Sequence, residues 1–143
     1  MSKISFHSEL TSFKLKEKIR IKNWINCLVR EHKGEISALQ YIFCDDAYLL
    51  SINKEYLNHD TLTDIVTFRY SEFPHPLESD IYISVERVRD NAEAFQASFE
   101  EELRRVMIHG VLHLLGFKDK NKSDKEKMRE EEDKSLLFFN AIP

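Results

Sequence analysis

Between Lys14 and Arg30, apolar residues recur at Leu15, Ile19, Ile21, Trp24, Ile25, Leu28 and Val29, the spacing that lays one side of a helix against a core. Gly34 stands where that run should stop. The period then changes. Ile36 to Cys44 is dense in β-branched and aromatic residues and predicts a central strand, after which Asp45 is placed to cap a helix reaching about Leu57. Residues 3 to 6 predict a short edge strand upstream. Asp64 to Tyr70 puts Val66, Phe68 and Tyr70 on one side, and Ile81, Ile83 and Val85 alternate after a loop holding Pro74 and Pro76, which gives two more strands. Ser84 or Val85 opens another helix. Ser98 with Glu101 is a capping box for a helix running to Leu115, and Ser123 with Glu126 repeats it before a charged helix ending near Asn140. Together these elements predict one α+β domain over residues 1–143: a mixed sheet of about four strands covered by about five helices, three of them grouped at the C-terminal end. The pattern leaves the strand order open.

Composition narrows the class. A chain of 143 residues with 42% hydrophobic positions can bury one substantial core, and only 3 Gly and 3 Pro leave little room for disorder. No basic-then-apolar leader opens the chain and no apolar run approaches the ~20 residues that span a bilayer, so a cytoplasmic protein without a membrane partner is expected. Cys27 and Cys44 lack paired spacing and read as two reduced, buried thiols. The net charge of -4 argues against a general nucleic-acid coat, DNA included, because phosphate binding is driven by clustered Lys and Arg. Two local cationic clusters remain, from Lys14 to Lys22 and at Lys118, Lys120 and Lys122, and each reads first as a solvated face or loop.

The chemistry concentrates between Val106 and Phe117. Val-Met-Ile-His-Gly-Val-Leu-His-Leu-Leu-Gly-Phe is apolar all round apart from its histidines, which marks a helix buried on most faces at whose end a metal site forms. Four residues advance a helix by ~6 Å and return it to nearly the same angle, so His109 and His113 point to one side. Gly116 suits the left-handed position that ends a helix and lets the chain double back, bringing Asp119 beside the two rings. Three protein ligands leave a fourth position for water, the arrangement of a catalytic rather than a structural ion. In zinc metalloproteases the residue after the first His is a Glu acting as general base; here it is Gly110, which disfavours peptide hydrolysis by that route.

His-Gly-Val-Leu-His-Leu-Leu-Gly-Phe-Lys-Asp resembles the signature of the YbeY family of bacterial endoribonucleases, also called rRNA maturation factors. The likeness extends to Thr63-Asp64-Ile65-Val66-Thr67-Phe68, similar to that family's Thr-Asp-Val-Leu-Ser-Phe strand, and to Asp80-Ile81-Tyr82-Ile83-Ser84, similar to its Gly-Asp-Ile-Val-Ile-Ser strand. The resemblance implies an α+β fold with one zinc ion in a cleft and activity on single-stranded RNA. It also implies a role in maturing the 16S rRNA of the small ribosomal subunit and in ribosome quality control, with ribosome-associated proteins as partners. Three positions depart from the family. Asp119 stands where its third ligand is usually a His; the extra negative charge weakens the ion as a Lewis acid and widens the choice toward Mn2+ or Fe2+. Leu57 replaces an Arg taken to face the scissile phosphate, and Arg69 or Lys118 is the candidate replacement. Ser79 replaces a Gly before the Asp-Ile strand.

The leading expectation is therefore metal-assisted cleavage of a phosphodiester in single-stranded RNA, with His109, His113 and Asp119 as ligands and Asp64 and Arg69 in the catalytic cleft. Asp64 would position water or substrate, and Tyr56, His59 and Arg69 would line the groove. The alternatives are a non-catalytic ribosome-associated factor in which the ion only staples the C-terminal helices, and, last, a divergent metalloprotease.

Overall fold

The computed structural model describes residues 3–143. Its chain runs through β1 (Ile4–Ser8), α1 (Lys18–Glu31), β2 (Ile36–Cys44), α2 (Asp46–Leu57), β3 (Ile65–Arg69), β4 (Leu77–Ser84), α3 (Val85–Ala94), α4 (Phe99–Leu114) and α5 (Lys122–Phe139). The strands form a four-stranded sheet in the order β1-β2-β4-β3. β1 and β2 are parallel, as are β2 and β4, while β3 returns antiparallel to β4, so the sheet is mixed and β3 forms one edge.

Its two faces are unequal. Leu39, Tyr41 and Phe43 of β2, with Ile81 and Ile83 of β4, point into the main core, where Trp24 and Ile25 of α1 and Met107 and Ile108 of α4 cover them. The Tyr41 hydroxyl donates to the Met107 carbonyl at 3.0 Å, satisfying its one buried polar atom and pinning α4 over the middle of the sheet. Cys44, Leu49, Ile52 and Val66 form a smaller cluster under α2 on the other face.

Local capping chemistry sets most boundaries. Asp45 accepts from the Tyr48 N–H, Ser84 from Arg87 and Ser98 from Glu101, each at the helix start expected of it. The last helix begins earlier than Ser123 suggests, because the Asn121 side chain takes the cap position and accepts from Asp124 N–H at 2.8 Å. The first begins later than Lys14. Glu17 sits in the left-handed region at φ 57°, so residues 14–17 form a loop, although Leu15 still reaches the core. Cys44 is buried, and burial beside Asp45 and Asp46 pushes its thiol up to about 12. Cys27 is only partly buried, contrary to expectation, and both cysteines are free. No helix among the described residues is long and apolar enough to cross a membrane.

Candidate metal centre

α4 crosses the sheet closely because residue 110 lacks a side chain: a Cβ there would stand 3.1 Å from the terminal methyls of Ile65 and Ile81. That approach brings the adjoining His109 and His113 to the β3 edge, where their rings meet edge to face with centroids 4.5 Å apart. The helix then ends in a reversal. Gly116 takes φ 105°, Gly116 N–H donates to the His113 carbonyl at 3.0 Å and Phe117 N–H to the Leu112 carbonyl at 3.0 Å, the paired bonds of a Schellman turn. Asp119 is carried back toward the rings by this turn.

Both imidazoles are held from behind. His113 Nδ1 lies 2.9 Å from the Phe117 carbonyl, which can only accept, so that nitrogen carries the proton and Nε2 keeps its lone pair. His109 Nδ1 lies 2.6 Å from Oε2 of Glu132, a buried carboxylate on α5 whose other oxygen accepts from Arg105 at 2.9 Å. Arg105 also reaches Asp133 at 2.7 Å. In front, His109 Nε2 and His113 Nε2 face Asp119 Oδ2 at 3.5 and 3.4 Å. These separations are long for charge-assisted hydrogen bonds. They match the roughly 3.4 Å edge of a tetrahedron with ligand bonds of ~2.0–2.1 Å. The donor set fits a borderline divalent cation, and the three donor atoms lie within 4.8 Å of one another. Burial pushes the His109 pKa down, but the bond to Glu132 and the charges of Glu132, Asp119 and Asp64 outweigh it, so the net shift is upward.

An open cleft of ≈ 540 Å³ runs from this cluster along β3. Asp64 and Arg69 both line it, as do His59 and Leu57, so the residues singled out on either side of the Thr-Asp strand share one cavity with the histidines. Asp64 sits just before β3, its carbonyl accepting from Ser84 N–H at 3.0 Å and its carboxylate from Asn91 at 3.3 Å. Burial raises its pKa in spite of the nearby His109. The Arg69 guanidinium donates to the His113 carbonyl at 2.6 Å and to Glu72 at 3.2 Å, and so ties the edge strand to a candidate ligand. Tyr56 stays out of the cleft lining and packs edge to face on Phe68 at 5.8 Å. Lys118 is exposed on the turn beside Asp119. Ser79 is buried in β4, its hydroxyl donating to the Phe68 carbonyl at 2.7 Å and bracing the hairpin that carries the cleft wall.

Glu132 escaped the reading of the sequence. One signal for it existed: Met128, Glu132, Ser135 and Phe139 recur at helical spacing and form the buried stripe of α5, placing a carboxylate among core positions.

Residues 3–140 match the sequence profile of a family described as Endoribonuclease YbeY. A protein of that name from Flavobacterium psychrophilum is 50% identical over 138 residues, covering 96% of this chain and 97% of the relative. Another from Porphyromonas gingivalis is 41% identical over 139 residues, covering 97% and 91%. Among solved structures, the solution structure of a Thermotoga maritima protein aligns with a TM-score of 0.69 at 25% identity, over 95% of this chain and 88% of that one.

Proposed function

This chain belongs to the YbeY family of endoribonucleases, and on that premise we propose that it is a metal-dependent endoribonuclease that hydrolyses phosphodiester bonds in single-stranded RNA. Its setting in this reading is the cytoplasm, in maturation of 16S rRNA and in ribosome quality control, in contact with the small ribosomal subunit or proteins bound to it. The observation that carries the chemistry is the convergence of His109 Nε2, His113 Nε2 and Asp119 on one point, with each imidazole's other nitrogen already engaged by protein. Zinc is the first choice of ion; Mn2+ and Fe2+ also suit a site with a carboxylate ligand.

When bound, a divalent ion supplies a Lewis acid for a phosphodiester oxygen. The remaining work falls to the chain. Asp64, its pKa raised by burial, is suited to orient a water molecule and hold a proton at a carboxyl oxygen. Arg69 contributes positive charge to the cleft wall, though its bonds to the His113 carbonyl and Glu72 commit part of the guanidinium to holding the site.

The lost Arg at Leu57 and the charge of Asp119 favour a second reading, a ribosome-binding factor with a structural ion. Against it, α4 and α5 meet through their own apolar contacts, so an ion is not needed to hold them together. A protease is disfavoured on packing as well as chemistry, since position 110 faces Ile65 and Ile81 and has no room for a glutamate.

His113→Ala tests the proposal. Elemental analysis should find the bound metal lost and an RNA-cleavage assay should find activity abolished, with the far-UV circular dichroism retained. Cleavage at the wild-type rate by this variant would overturn the assignment.

A further inference from the structure

We propose that the turn after Asp119 and the first two turns of α5 form a phosphate track that carries the single-stranded RNA substrate beyond the metal cleft; this rests on the RNA-cleaving reading given above. Lys120, Lys122, Lys125 and Arg129, with Asn121 and Glu126, surround an open concavity of ≈ 580 Å³. All four cations are exposed. Among the described residues the three lysines have no ion-pair or side-chain hydrogen-bond partner, and Arg129 has only an electrostatic interaction with buried Glu102. Lys122, Lys125 and Arg129 are spaced three and four residues apart, which aligns them on one side of the helix.

Two observations join this stripe to the cleft. Lys120 directly follows Asp119, one of the three converging donors. At the other end, buried Glu102 of α4 lies within electrostatic range of both Arg129 and the cleft residue Asp64. The stripe also runs against the overall charge of the chain. Six cations and three acids fall within residues 118–129 of a protein whose net charge is -4. Of those acids, Asp119 is turned toward the two histidines.

The chemistry fits a polyanion of regularly spaced phosphates. Flexible ammonium groups neutralise phosphates without reading bases, and no aromatic residue lies between Phe117 and Phe138 to stack on one. The track therefore supplies affinity that falls with salt and is indifferent to sequence. The other basic cluster is a poor rival. Lys14 and Lys16 line a separate cavity with Phe99 and Arg104, at the opposite end of α4 from His113. His113 lies fourteen positions beyond Phe99 along the helix, a distance of ~21 Å.

The test compares wild type, the double variant Lys122→Gln/Lys125→Gln and the control Lys14→Gln/Lys16→Gln, all metal-loaded. Binding of a fluorescein-labelled 2′-O-methyl oligouridine, its integrity after each titration checked on a gel, is followed by anisotropy between about 50 and 200 mM salt. The α5 variant should lose about 1.4 from the slope of log affinity against log salt, roughly 0.7 for each phosphate released, and about tenfold in affinity near 0.1 M salt. On a cleavable RNA its KM should rise with kcat unchanged, and the control should match wild type in every measurement. An unchanged slope in the α5 variant, or an equal loss in the control, overturns the track while wild-type cleavage leaves the enzymatic reading standing. A wild-type protein that neither binds nor cleaves RNA removes both.

Discussion

Asp64 is a carboxyl that the fold holds against its preference for water. Burial sets its folded pKa above the ordinary 3.8, so the stability tied to this group is fully present below pH 3.8 and is lost as pH rises through the folded value. At neutral pH in metal-free protein Asp64 is therefore a net cost to stability. Asp64→Asn removes that charge while keeping a polar group beside Asn91. Thermal melts in chelator should show the variant at least as stable as wild type at pH 7 and the advantage gone near pH 3, while the metal-loaded variant should cleave RNA about 10²-fold more slowly or worse. A variant less stable at pH 7 would mean that the carboxylate is held for structure. At this scale the chain was legible where spacing is itself the chemistry: His109, His113 and the Gly116 reversal follow from helical geometry. Burial was not legible. Asp64 reads equally well as a turn residue until Ser84 and Asn91 are seen to close around it.

At the scale of elements, the candidate centre leans on a helix that offers none of its three donors. α5 supplies Glu132 behind His109, and Arg105 of α4 fixes that carboxylate from its far side. Metal-bound imidazoles owe orientation and basicity to such partners, whose removal weakens metal binding by 10–100-fold. Glu132→Gln should show a loss of that size in a competition titration against a chromophoric chelator, with its helix content unchanged. Since Glu132 raises the His109 pKa, the substitution should also lower the pH at which His109 takes up a proton in the metal-free protein, as followed by NMR titration. Helix caps at Asp45, Ser84 and Ser98 could be read in advance because a side chain caps its own neighbour. Asn121 pre-empted Ser123 because either residue caps well and only the path of the preceding turn decides between them. Strand order and the Glu132 contact join residues far apart in sequence, and local patterns carry no trace of such pairings.

Over the whole molecule, the unequal sheet faces put the large core on the side of α1 and α4, and hydrogen bonds from α1 fasten the C-terminal chain there. Trp24 donates to the Ser135 carbonyl at 2.8 Å, and Arg20 donates to the carbonyls of Phe139 at 3.0 Å and Ile142 at 2.9 Å. Chelation should thus abolish RNA cleavage while leaving the far-UV circular dichroism spectrum in place; loss of the spectrum would favour a structural ion. All three converging donors come from one stretch of the chain, residues 109–119. No distant part of the polypeptide must fold to bring them within reach of each other, so the denatured chain keeps some capacity to capture the same cation. Binding on both sides of the folding equilibrium partly cancels, and added zinc should raise the melting temperature by less than its affinity for the native protein alone would give.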